Sequence, residues 1–146
     1  MSEDLLFQRI AASFGKQGLM ATLGATLGRV APGSVTIRMP FSPAISQQHG
    51  FAHAGSIATI VDSACGYAAL TLMPEDKAVL TSEFKINLLA PALGTHFEAI
   101  GTVLRAGRRV HVVQGEAWAI QGESRKQVAV MLATMMVIDG ETGLKS

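Results

Sequence analysis

Apolar residues recur along this chain with two different periods. Near the start, Leu5, Leu6, Ile10 and Phe14 fall at near-helical spacing and predict a helix from Glu3 to Lys16. Gly18 and Gly24 then mark a change of period. Val35, Ile37, Met39 and Phe41 alternate with Ser34, Thr36, Arg38 and Pro40, which predicts a half-buried strand preceded by an "APGS" turn. Met20 to Val30 is expected to be its hairpin partner. From Gly55 to Leu72, Ile57, Ile60, Val61, Ala64, Cys65, Ala68, Ala69 and Leu72 form one stripe of a long helix.

The second half alternates with a period of two. Phe84, Ile86 and Leu88 interleave with Glu83, Lys85 and Asn87 before "APALG" breaks the run. Phe97 to Leu104 and Val110 to Ile120 flank "RAGRR", a glycine-centred hairpin turn. Val128 to Ile138 is apolar on both faces and predicts a buried central strand. The expected order is helix, two strands, long helix, then four strands in a meander. Strands segregated from helices indicate an α+β protein, with one antiparallel sheet packed on the main helix.

The 146 residues suit one domain, with 1–18 an N-terminal helical segment and the core at about 19–139. Charged residues are only 16% and apolar residues 49%, so some surface is expected to lie against other subunits. A net charge of +1 without a basic run points away from nucleic acid. The longest apolar run is about half of the roughly 20 residues a membrane helix needs, and no targeting signal is visible. Cys65 is the only cysteine, which excludes a disulfide framework and suits a reduced, buried thiol. A soluble, cytoplasmic protein is expected.

The long helix raises a chemical question. Asp62 lies about 110° from the middle of the apolar stripe, with Thr59, Ser63 and Gly66 on its side. An ordinary solvated face would carry Lys, Glu and Gln, and this one carries none. Asp62 either solvates an exposed flank or works as a base or nucleophile in a semi-buried cleft. Ahead of the helix, "SQQHGFAHAG" carries Gln47, Gln48, His49 and His53. The unpaired N–H groups of the first turn, from about Ala54, stand at the positive end of the helix dipole. They suit either a developing oxyanion or simple capping. Ala54 and Asp62 are eight residues apart, about 12 Å along one helix, too far to serve one carbonyl together. If both act, each must face the other's counterpart in a second subunit across a two-fold axis.

These residues carry a resemblance. Gln47, His53, Gly55 and Asp62, at their spacing, resemble the PaaI-like acyl-CoA thioesterases of the hot-dog fold, and "TSEFKINLLAPA" and "RAGRR" resemble the segments that follow. The likeness spans roughly Met20 to Ile138. It implies an antiparallel sheet wrapped around one long central helix, with sites at the interfaces of homodimers, commonly within homotetramers. It also implies an acyl-CoA substrate and no metal or redox cofactor. Asp62 would be the nucleophile or general base, and the Ala54 N–H would polarise the thioester carbonyl. Gln47 and His53 would orient the thioester or the water, and Thr81 would assist on the water side. Gly55 belongs to the same motif at the substrate. One departure is visible: Ala54 stands where glycine is usual, which puts a methyl beside the acyl group.

The phosphates of CoA call for basic residues near the mouth, and Arg105, Arg108, Arg109 and Lys85 are the candidates, with a solvated turn as the plain alternative. Phe51, Tyr67, Leu70 and the Met-rich last strand are candidate acyl-pocket residues that core packing explains equally. Hydrolysis of an acyl-CoA thioester is therefore expected. The alternative is a non-catalytic acyl-CoA-binding module or sensor on the same fold. A hot-dog hydratase or dehydratase is a more distant third.

Overall fold

The computed structural model describes residues 1–140. Its elements run α1 (Glu3–Phe14), α2 (Gly18–Thr22), β1 (Thr26–Ala31), β2 (Ser34–Pro40), a 3₁₀ turn (Pro43–Ile45) and α3 (Ala54–Leu70). Then follow β3 (Lys77–Leu88), β4 (His96–Ala106), β5 (Val110–Gln121) and β6 (Ser124–Asp139). The six strands form one antiparallel sheet in the order β1-β2-β4-β5-β6-β3. The sheet curves around α3, which contacts β2, β3, β4, β5 and β6. Residues 141–146 of the expected single domain lie outside the described residues.

Two strand expectations change. Met20 to Val30 is not one strand: Met20 is buried on α2, and β1 starts only at Thr26. Gly24, at φ +67°, makes the bend between them, a conformation that favours glycine. The β1–β2 hairpin itself holds, turning through Pro32 and Gly33 (φ +78°) with Ala31 opposite Ser34. The four-strand meander also fails at its first member. β4 pairs with β2 rather than β3, so β3 pairs with β6 at the opposite edge. The reason is geometric, since α3 carries the chain across the inner face before β3 starts. The remaining meander, β4-β5-β6, is as expected.

β6 lies between β5 and β3, but only one of its faces is buried within the chain. Ala129, Met131, Ala133 and Met135 point into the core, while Leu132 on the other face is 54% exposed.

A pair of glycines lets the helix lie so close to the sheet. Gly101 on β4 and Gly115 on β5 are cross-strand partners. A Cβ on Gly101 would meet the Ala64 carbonyl carbon at 2.6 Å and the Cys65 nitrogen at 2.7 Å; one on Gly115 would meet Cys65 Sγ at 2.7 Å. Strand-interior glycine therefore marks backbone approach here.

The N-terminal helix docks on the far end of α3. Ser2 caps α1 by accepting from the Leu5 N–H, with Glu3 and Asp4 in the first turn where the dipole favours acids. Arg9 then donates to the carbonyls of Leu70, Met73 and Pro74 at 3.2, 2.8 and 2.8 Å, satisfying the C-terminal end of α3.

Candidate active site

Asp62 sits midway along α3 on its uncovered flank, half-buried. Its Oδ1 accepts a hydrogen bond from Thr81 Oγ1 at 2.8 Å. A bulge in β3 sets up this contact. Thr81 pairs with Met135 and Glu83 with Thr134, so Ser82 is the extra residue. The insertion places Thr81 and Phe84, opposite the inward-facing Met135 and Ala133, on the helix side of the strand.

Burial raises the Asp62 pKa above its ordinary value, and the Thr81 hydrogen bond pulls it part of the way back. Cys65, one turn further on, is buried and has its thiol pushed up to about 12, by desolvation first and by the Asp62 charge second. It stays a neutral thiol. Asp62 opens into a cavity of about 220 Å³ lined by Ser13, Gln17, Ser63, Tyr67, Leu80 and Thr81, among others.

The start of α3 forms a second cavity, of about 590 Å³, to which Gln47, Phe51, His53, Ala54 and Leu88 contribute. His53 is the N-cap, with extended backbone (φ −63°, ψ 140°), and its Nδ1 accepts from the Gly55 N–H at 2.8 Å. Its carbonyl accepts from Ser56 and Ile57. Between these, the Ala54 N–H has no acceptor among the described residues. It is a free donor at the positive end of a 17-residue helix. Among the described residues no non-glycine residue has positive φ, so Ala54 in place of glycine costs no backbone strain. Gln47 Oε1 accepts from the His49 N–H, leaving its amide hydrogens for the cavity. Backbone bonds from Ala52 to Ala92 and from His53 to Ile45 hold the loop in place.

The structure thus brings Gln47, His53 and Ala54 together, and separately Asp62 and Thr81, but the two cavities share no lining residue. Gly55 lines neither, and its N–H is taken by His53. Arg108 and Arg109 line a third cavity, of about 570 Å³, with Lys77 and Leu80, and Leu80 also lines the Asp62 cavity. Lys85, on the outward face of β3 opposite Leu132, reaches none of the three.

Of the candidate acyl-pocket residues, Tyr67 lines the Asp62 cavity and Phe51 the Ala54 cavity, while Leu70 is fully buried core. The sequence reading missed Ser13 and Gln17, and no local signal marks them. They reach the site through contacts about fifty residues apart in the chain. Among the described residues no group of three or more His, Cys, Asp or Glu side chains is set up to hold a metal ion. Among the described residues no helix is long and apolar enough to cross a membrane.

The family model for the thioesterase superfamily matches residues 49–126, from His49 in the loop before α3 to Lys126 at the start of β6. This chain belongs to the thioesterase superfamily. The crystal structure of a thioesterase family protein from Silicibacter pomeroyi matches with a TM-score of 0.90 and 45% identity, covering 92% of this chain and 99% of that one. The E. coli PaaI protein from the phenylacetic acid degradation operon shares the fold, at a TM-score of 0.82 and 20% identity over 91% of this chain and 93% of that one. A Saccharolobus solfataricus protein carrying a provisional esterase name is 36% identical over 84 residues, 58% of this chain. That match spans 59% of the archaeal protein's length. The hot-dog architecture of the superfamily, a sheet wrapped around α3, is the one described above.

Proposed function

We propose that this thioesterase-superfamily chain hydrolyses acyl-CoA thioesters at sites shared between two subunits. In this reading Asp62 of one subunit attacks the thioester carbonyl, or activates a water against it, and Ala54 of the partner subunit donates its N–H to the carbonyl oxygen. Thr81 holds the carboxylate in position, and Gln47 and His53 orient the substrate from the Ala54 side. Arg108 and Arg109 would meet the CoA phosphates at the mouth nearest Leu80.

One observation carries the reading. A half-buried carboxylate with a raised pKa and a free helix-start N–H, the two groups thioester hydrolysis needs, occupy separate cavities of one chain. The raised pKa strengthens Asp62 as a base, and the unpaired N–H is preorganised for an oxyanion. A two-fold dimer would place each half against the other's complement. β3 is a sheet edge on which Leu80, Phe84 and Leu88 are exposed, which suits burial against a second copy.

The test is complementation. Asp62→Asn removes the carboxylate. Ala54→Pro removes the N–H at the first helical position, where proline fits and where the extended His53 already accommodates it. Each variant alone should lose CoA release, and refolding them together in equal amounts should restore about one quarter of wild-type activity, because half the dimers carry one intact site. No recovery on mixing would rule out the shared site. Acyl-CoA binding by the wild type without any CoA release would rule out the enzyme reading in favour of a binding module.

A further inference from the structure

The hairpin that carries Arg108 and Arg109 stands clear of the core. From Leu104 to Val110 every residue is exposed or half-buried, whereas the next one, His111, is only 3% exposed. His111 lies on the inner face of β5, opposite Ala106 on β4 and the fully buried Met135 on β6. The hairpin is thus seated on the core by a histidine.

An apolar side chain would fill that position at lower cost. His111 Nδ1 is buried with no hydrogen-bond partner among the described residues, and burying an unpaired polar atom opposes folding. Packing alone therefore gives no reason for an imidazole. The other side of the ring gives one. Burial pushes the His111 pKa down, which keeps the ring neutral at pH 7, and a hydrogen bond with the Gly107 backbone pulls it part of the way back up. A bond that raises a histidine pKa is one in which the ring donates, so the acceptor is the Gly107 carbonyl. With Nδ1 unpartnered, the donor is Nε2.

Gly107 is thereby held at both of its polar groups. Its N–H donates to the Val110 carbonyl at 2.9 Å, and a Cβ on Gly107 would meet that same oxygen at 2.6 Å, so the turn has no slack. Arg108 and Arg109 are the next two residues, and the Arg109 carbonyl accepts from the Val137 N–H at 2.9 Å. These backbone bonds tie the hairpin to itself and to β6. The His111 bond reaches the turn from inside the core. Charged side chains on a fixed turn meet a phosphate without the ordering cost that a loose turn would add to each binding event.

We propose that His111 is a positioning residue, which holds the Gly107 turn so that Arg108 and Arg109 are presented to the phosphates of the substrate. This rests on the reading of those two arginines as the CoA-phosphate pair. His111 lines neither the Asp62 cavity nor the Ala54 cavity, so its effect falls on substrate binding and not on the chemical step.

The experiment compares kcat/KM for hexanoyl-CoA and for hexanoyl-pantetheine, which has the same thioester and no phosphate. It uses the wild type, His111→Gln, His111→Asn and the double variant Arg108→Gln, Arg109→Gln. Glutamine carries its amide nitrogen at the reach of Nε2, whereas asparagine stops at that of Nδ1. The wild type should favour the CoA ester by at least about tenfold, the worth of one charge-assisted hydrogen bond to phosphate. The double arginine variant and His111→Asn should lose most of that preference, and His111→Asn should lose it through KM with kcat retained. His111→Gln should keep it. A folded His111→Asn that keeps the preference, while the arginine variant loses it, overturns the role of His111 and leaves the arginines in place. Equal losses on both esters in His111→Asn mark a merely structural histidine and also overturn it. Should His111→Asn fail to fold, His111→Gln decides alone, and a lost preference there overturns the proposal. A wild-type preference of about one removes the phosphate reading of the arginines and this proposal together.

Discussion

Thr81, on the edge strand β3, donates a 2.8 Å hydrogen bond to Asp62, in the middle of the helix that the sheet surrounds. It is a contact between the last strand of the sheet order and the core helix, and it exists because the β3 bulge at Ser82 keeps Thr81 facing inward. The bond favours the ionised carboxylate, while burial favours the neutral acid, and burial is the stronger of the two.

Removing that donor should change the pH dependence of the reaction. Thr81→Val deletes the interaction that lowers the Asp62 pKa, so the pKa should climb further. The acid limb of kcat/KM should move to higher pH, and activity at acidic pH should fall by about tenfold, with a smaller loss on the alkaline side. A pH–rate profile with its acid limb unmoved would show that Asp62 does not govern that limb.

The same raised pKa makes Asp62 a cost to stability at neutral pH. A carboxyl whose folded pKa lies above its ordinary 3.8 binds its proton more tightly in the folded state. Its contribution is fully favourable below the unfolded value and is lost as pH rises through the folded one. Asp62→Asn, which cannot ionise, should therefore raise Tm at pH 7 while removing at least about a hundredfold of kcat. The gain in Tm should shrink as pH is lowered towards 3.8. Thermal melts across that range check the sign.

The glycine pair should be intolerant of even one methyl group. Gly101→Ala meets the backbone of Ala64 and Cys65, which cannot rotate away, and should cost about 3 kcal/mol or more. Gly115→Ala meets the side chains of Val61 and Cys65, which can partly give, and should cost less, about 1–3 kcal/mol. Urea denaturation of the two variants gives the ranking directly.

Arg9 should matter out of proportion to its place on a terminal helix. Arg9→Met removes donors to three carbonyls at the end of α3 and should destabilise the protein by about 1–2 kcal/mol. Burial lowers the Arg9 pKa and the nearby Glu75 charge raises it, yet a guanidinium stays charged over the working range. The loss should therefore be nearly independent of pH, as chemical denaturation at two pH values would show.

The local patterns were legible where one chemical preference dominates a window. Alternation at Val35, Ile37 and Met39, and the helical stripe from Ile57 to Ala69, mark surfaces that must be buried whatever they pack against. The Pro32–Gly33 and Gly107 turns were legible for the same local reason. Met20 misled because a short helix followed by Gly24 also breaks an apolar run, and alternation cannot be judged over so few residues. The β3–β6 pairing was invisible because an alternating strand carries no record of which neighbour it meets.

By itself, the sequence determined the α+β class, the core face of α3, and the eight-residue interval that keeps Ala54 and Asp62 apart. That interval is a property of helix rise and needs no fold to compute. Only the tertiary structure decided that Thr81 reaches Asp62, that Gly101 and Gly115 face α3, and that Gln17 lines the Asp62 cavity. Each of these joins residues far apart in the chain, and such contacts depend on strand order, bulges and helix docking rather than on any local preference.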